Sequence, residues 1–484
     1  MTNIIKWFKD TKKPHPIEFV MVLIAMLFFF LTYFYTDVAI TTRSGIDFWT
    51  YLFHGQILDF YELSKNMTFY DTLHCDALYD FTLYIVFAVW DFPLWVAERL
   101  FSIDALLSTP CLLWAKSIML PFLAGCVIFL RKIGTLLGFS REKSLWCQLI
   151  FLTSAFVISP IFVLCQYDII GIFFSVVALY YYLKGDLKKF TIFMAVAVTM
   201  KTFALFVFLP LLLLKEKKMW KVCTYTLGCL SIFLGTQLLF TLLGTTPAGS
   251  FLFAQMNKMM MGTLTTGLGN ASIFIMIYLA ILLLCYLRTI DSDYELKLLA
   301  VYVPFVVWGA FFVFSESSPY WIILITPYFA LMVCENISHF KVNLWLDTLA
   351  GIGLILAQNL FFLWVFSYKW LMPLMPFAKL VHPITTMVQE NNLSILGEEE
   401  ALTTFTTTFG LPLCLGIFAF AMLALILLNY PSKASIEKAA ANNQDNFSTE
   451  LHVERSVIWL RFAASVGVCL IPFFFYLLHW ILGL

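Results

Sequence analysis

Residues Phe19-Val-Met-Val-Leu-Ile-Ala-Met-Leu-Phe-Phe-Phe-Leu-Thr-Tyr-Phe-Tyr35 run without a single charged side chain. As a helix such a stretch is about 25 Å long at 1.5 Å per residue, close to the thickness of a bilayer's hydrocarbon layer. Comparable runs follow at Val222–Leu243, Ile273–Leu287, Leu344–Phe366, Leu411–Leu428 and Val457–Leu482. Apolar residues make up 61% of the chain and charged residues 12%, whereas soluble domains carry about a quarter charged residues. The fold class is therefore an all-α integral membrane protein.

Lysines Lys6, Lys9, Lys12 and Lys13 precede the first run, which has no A-x-A-like cleavage site and is expected to stay as a helix. Thirty basic residues balance thirty acidic ones, and no basic arm or stripe points to nucleic acid. The eleven cysteines are scattered through apolar runs without a C-x-x-C pair. They read as small buried hydrophobes, with neither disulfides nor a zinc site indicated.

Loop lysines and arginines mark the cytoplasmic side of membrane proteins. With the N-terminus inside, 22 of the 30 basic residues fall in cytoplasmic segments. These are Lys6–Lys13, Arg131–Lys143, Lys184–Lys189, Lys215–Lys221, Arg288–Lys297, Lys341 and Lys433–Arg461. Phe81–Ala97, interrupted by Asp91 and Pro93, reads as interfacial or re-entrant, because a span there would invert every later loop. About 13 transmembrane helices then remain, with the C-terminus outside. The outer segments are Asp37–Thr109, Gly244–Ser272 and Ser367–Thr408, and a multi-pass plasma-membrane location is expected. The chain forms one membrane domain, a module over 1–220 followed by additional helices over 221–484.

Three polar constellations stand out. In the first outer segment Ile46, Trp49, Phe53, Ile57 and Phe60 recur at helical spacing, as in a helix lying on the membrane surface. Asp47, Tyr51 and His54 share another face. Asp47 is either a loop acid or helix cap, or the general base of an outer-face enzyme. The second constellation is Gln166-Tyr167-Asp168, followed by a hairpin that returns to Lys201. The helices between them are short, about 21–24 Å at 1.5 Å per residue. Pinned by their basic inner loops, they would leave Gln166, Asp168 and Lys201 in a pocket sunk below the outer surface, where ionisable groups mark function. An Asp168–Lys201 ion pair that only ties helices together is the alternative. The third is the outer turn Phe314-Ser-Glu-Ser-Ser-Pro-Tyr-Trp321, with Glu316. Asn257 and Lys258, in a Gly- and Met-rich loop, are weaker candidates for an anionic ligand. No nucleotide-binding glycine motif occurs, so a transferred group would come from a membrane-borne donor.

With these residues the chain resembles the polyprenyl-phosphate-sugar-dependent glycosyltransferases of the GT-C superfamily. The likeness rests on an Asp in the first outer loop (Gly45-Ile-Asp-Phe-Trp), on Gln166-Tyr-Asp168 at an outer helix end, and on Lys201 followed by Pro210-Leu-Leu-Leu-Leu-Lys. It is best over residues 17–220 and closest in flavour to bacterial relatives of the glycosylphosphatidylinositol mannosyltransferases. The resemblance implies an inverting transfer of a mannose-like hexose from a polyprenyl-phosphate donor to a glycan, lipid or protein acceptor. Carried over, Asp47 is the base and Lys201 the phosphate contact. Gln166, Tyr167, Asp168 and His54 line the substrates, with Glu316 and Lys258 near the same cavity. Phe48 follows Asp47 where some members show Asp-x-Asp or Glu-Asp, so no cofactor is expected and a divalent metal is not indicated. A polytopic transporter or a flippase for a lipid-linked substrate is the alternative from another class. A membrane polymerase or acyltransferase is a third, but it would favour arginine-rich outer loops.

The charge map has a direct check. Single cysteines introduced at Asp186 and Lys217 should resist an impermeant thiol reagent in intact cells and react after permeabilisation. Labelling of both from outside would overturn the orientation.

Overall fold

The computed structural model describes residues 10–65, 68–69, 73–74, 76–245, 257, 260, 262–360, 369–371, 406–433, 436 and 449–482. Helix accounts for about 81% of the structure. The principal helices are α1 Pro16–Thr32, α2 Thr36–Phe53, α3 Phe81–Phe101, α4 Met119–Leu137 and α5 Arg141–Leu152. They continue with α6 Ile169–Leu183, α7 Leu187–Met200, α8 Leu205–Lys215, α9 Met219–Leu243 and α10 Ile273–Leu287. The last five are α11 Asp293–Phe314, α12 Thr326–Glu335, α13 Phe340–Leu360, α14 Leu411–Leu428 and α15 Arg455–Leu482.

Among the described residues, 7 helices are long and apolar enough to cross a membrane, or 8 if the bent pair Arg141–Leu152 and Ala155–Val163 counts as one span. The all-α membrane architecture read from the sequence is thus present. Its count of about thirteen spans included runs that form shorter helices here, such as α1, α6 and α10.

Helix α1 begins with Pro16 in its first turn and His15 as cap; His15 Nδ1 accepts from the Ile17 amide at 3.2 Å. The Glu18 carboxylate reaches back to the His15 amide at 2.5 Å, completing a capping box. Glu18 is buried and also faces Arg455, 3.4 Å away at the start of α15. At its other end α1 stops at Thr32, and Tyr33–Tyr35 pairs in antiparallel register with Lys369–Leu371. The carbonyls of Phe30 and Tyr33, released by this break, accept from the buried Lys116 ammonium. Lys116 also sits 4.4 Å over the Phe30 ring. A cation at a helix C-terminus complements the dipole there.

Segment 81–97, expected to be interfacial or re-entrant, lies in the continuous 21-residue helix α3, which has the length and composition of a candidate span. Asp91, the residue that argued against spanning, is fully buried and turned toward Thr42 of α2. A helix partner thus covers the acid that a lipid-facing reading could not accommodate. The two helices pack closely. A Cβ on Gly45 would lie 3.0 Å from Phe87 backbone, so only glycine fits without displacement. Trp49 Nε1 donates to the Ala88 carbonyl at 2.7 Å, and Trp95 Nε1 donates to Thr50 at 3.1 Å.

The N-terminal segment, Lys341 and the segment before α15 meet one another. Asp10–Thr11 pairs with Val453–Glu454, Trp146 Nε1 donates to the Lys12 carbonyl at 3.0 Å, and Lys341 pairs with Glu454 at 2.5 Å. Deeper in the bundle Arg461 joins three helices. It contacts Asp347 of α13 at 2.5 Å and donates to the Ile150 carbonyl of α5 at 3.0 Å and the Thr153 hydroxyl at 2.6 Å.

Arg461 is fully buried, so removing its partner leaves an uncompensated charge. Asp347→Ala should cost about 3–5 kcal/mol and lower the melting temperature in detergent. Lys65→Ala, which breaks the exposed Lys65–Glu62 pair, should cost under about 1 kcal/mol. Equal shifts would show that Arg461 is not a tie point.

Candidate functional site

The chain turns back on itself where the short helices end. After α5 the helix bends by 60° into Ala155–Val163. The Gln166 amide then donates to the Pro160 carbonyl at 2.8 Å. Between them Cys165 adopts φ 49°, a left-handed conformation that a non-glycine residue holds at about 1–3 kcal/mol. This strained corner turns Gln166 and Asp168 toward the end of α2. Helices α6 and α7 form the expected hairpin, closed by Gly185 at φ 81° and by the Asp186 cap on the Lys189 amide. The hairpin returns Lys201, the last residue before the 202–204 turn, to the same level as Asp168.

There Lys201 Nζ lies 2.8 Å from Asp168, with side chains only 7% and 4% exposed. The ammonium also stands 4.1 Å over the Trp321 ring, a cation–π contact. The second Asp168 oxygen has no hydrogen-bond partner among the described residues. Gln166 Nε2 donates to Asp37 at 3.1 Å. Tyr320 stands near the same carboxylate. Asp37 stands in the first turn of α2, where the helix dipole favours a negative charge. Its carboxyl is set within the protein, although the residue keeps part of its surface open. Burial pushes that carboxyl up to about 6, and the adjacent Asp168 adds to the rise. The Gln166 bond, the Lys201 charge and the nearby Tyr320 act in the other direction.

Gln166, Asp168 and Lys201 therefore come together as the sequence suggested. Tyr167 joins them as a brace. Its ring lies 5.2 Å from Phe87 and 5.7 Å from Tyr79.

The remaining candidates stand apart. Asp47 lies about 15 Å further along α2 at 1.5 Å per residue. Both its oxygens accept from Arg43, at 2.8 and 2.9 Å, while the same guanidinium holds Glu98 at 2.9 Å. Burial raises the Asp47 carboxyl and Arg43 draws it back. His54 is exposed where α2 ends, its Nδ1 within 2.6 Å of the Thr50 carbonyl. Glu316 is exposed on the 315–318 turn and lines a separate groove. Lys258 lies outside the described residues.

Sequence reading passed over Asp37, Tyr320 and Trp321. Asp37 carried a signal, since it is the first charged side chain after the apolar run that ends at Tyr35. Nothing local marked Tyr320 or Trp321 beyond their place in the polar turn, because their partners lie far away in sequence. Among the described residues no three His, Cys, Asp or Glu side chains converge as metal ligands would. Comparison with family models, curated proteins and solved structures returned no match.

The cluster can bind an anion at Lys201 and accept a proton at Asp37, within a low-dielectric site that strengthens both effects. A double-mutant cycle of Asp168→Asn and Lys201→Gln, read by thermal stability in detergent, should show coupling of about 0.5–3 kcal/mol. Additive effects would mean that the two charges do not depend on each other.

Proposed function

We propose that this protein is a membrane glycosyltransferase that moves a hexose from a lipid-phosphate donor to a hydroxyl acceptor at the outer face. The observation that carries the reading is the buried Asp168–Lys201 pair set beside the Asp37 carboxylate. Ionisable groups at membrane depth are costly and mark functional sites. A pure tie between helices would not need a third acid next to them.

In this reading Asp37 removes the proton of the acceptor hydroxyl as its oxygen bonds the anomeric carbon. The anomeric carbon–oxygen bond to phosphate breaks with inversion, and its electron pair leaves on the lipid phosphate. Lys201, held by Asp168 and Trp321, stabilises that developing charge. Gln166 and Tyr320 orient the Asp37 carboxylate. The base thus moves from Asp47, whose oxygens are both committed to Arg43, to Asp37. The likeness to GT-C enzymes supports the same arrangement, since Asp37 also follows the first helix directly. The helix break at residues 153–154 would equally serve a transporter, because discontinuous helices line many transport sites.

A carboxylate base typically supplies 10²–10⁴-fold. Asp37→Asn should therefore lower hexose transfer from a polyprenyl-phosphate hexose by about 10²-fold or more, with the protein still folded. A base acts only when deprotonated, so wild-type transfer should fall as the pH drops through about 6. Asp47→Asn should mainly reduce stability. Loss of transfer in Asp47→Asn with near-normal Asp37→Asn would return the base to Asp47. The transporter reading gains if no lipid-phosphate hexose is turned over while a bound lipid crosses vesicle membranes.

A further inference from the structure

A groove of about 650 Å³ opens beside the 315–318 turn, within the usual range for small-ligand sites. Its walls are apolar, with Phe312 from α11, Leu354 from α13, and Leu411, Leu415 and Phe418 from α14. A Cβ placed on Gly416 would meet nothing within 4 Å, so the wall is open at that point. Ser315, Glu316, Ser317 and Ser318 add a polar side with one acid, and the lining contains no basic side chain among the described residues. Ser315 Oγ is buried there without a hydrogen-bond partner among the described residues. Two residues further on, the same stretch reaches the cluster, through Tyr320 near Asp37 and Trp321 under Lys201.

The turn therefore separates two environments. One side offers a buried ammonium; the other offers a carboxylate and three hydroxyls above an apolar slot. The first side holds a cation, between Asp168 and the Trp321 ring, that a lipid phosphate could meet; the second presents an acid and, among the described residues, no cation. Resting on the glycosyltransferase reading, we propose that the groove holds the hydrocarbon chain of the acceptor. The acceptor is then a membrane-borne lipid whose head carries hydroxyls and no anionic group. Glu316 and the serines receive hydrogen bonds from that head and present one hydroxyl across the turn to Asp37. The donor keeps to the Lys201 side, and the two lipids are sorted by charge.

The test uses the full chain in phosphatidylcholine nanodiscs with three photoactivatable probes. They are a monohexosyl diacylglycerol, a polyprenyl phosphate and a phosphatidylcholine analogue, each reactive in its chain. The hexosyl lipid should label the Leu411–Ala419 stretch in preference to both others. Gly416→Phe, or Leu415→Trp should the first not fold, should lower that labelling roughly ten-fold, the factor of about 1.4 kcal/mol. Glu316→Lys should shift preference toward the polyprenyl phosphate. Equal or stronger wild-type labelling by polyprenyl phosphate would assign the groove to the donor, and equal labelling by phosphatidylcholine would make it an ordinary lipid contact. Either result overturns the proposal. Failure of the enzyme reading shows separately, as polyprenyl-phosphate affinity unchanged in Lys201→Gln and no transfer by wild type, whatever labels the groove.

Discussion

A buried ammonium decides where the first helix ends. Lys116 donates to the carbonyls of Phe30 and Tyr33, groups that the break at Tyr33–Tyr35 leaves without helical partners. In hydrocarbon each such carbonyl would cost several kcal/mol if left bare. The break holds because a cation carried by the helix before α4 satisfies both, and because the extended residues pair with Lys369–Leu371. Its consequence is positional. Helix α2 starts at Thr36, and Asp37 falls in its first turn, facing Gln166 and Tyr320.

The same rule recurs through the bundle, where charges appear in pairs or sets that cross between helices. Arg461 ties α5, α13 and α15, and Glu18 with Arg455 ties α1 to α15. Arg43 binds two carboxylates from α2 and α3. In each of these sets an acid faces a cation directly. In the Asp37–Gln166–Asp168–Lys201 set a side-chain amide reaches a second acid beside the pair. One Asp168 oxygen has no partner among the described residues, and Asp37 keeps an opening to its surroundings. A site needs that residual capacity, since a fully satisfied network has nothing left to offer a ligand.

Much of this was legible in the chain. Apolar runs gave the membrane class because length and the absence of charge are properties of a segment by itself. Short helices α6 and α7 with their basic turn predicted that Asp168 and Lys201 would share a level, since helical rise is fixed at about 1.5 Å per residue. Phe81–Phe101 was harder. Asp91 and Pro93 made it look unfit to cross, and Asp91 is buried against α2 with neither carboxylate oxygen hydrogen-bonded among the described residues.

The choice among acids was decided by tertiary structure. Asp37 and Asp47 both follow the first apolar run, and Asp47 has the more suggestive local pattern, with aromatic residues at helical spacing around it. What separates them is the partner each meets: Arg43 and Glu98 for one, Gln166 and Tyr320 for the other. Those partners lie on different helices, up to hundreds of residues away. The sequence by itself determined the membrane class and the level that Asp168 and Lys201 share, because hydropathy and helical rise are local. Only the packed bundle decided which charges neutralise one another and which stay open to a ligand, because that depends on contacts between distant segments.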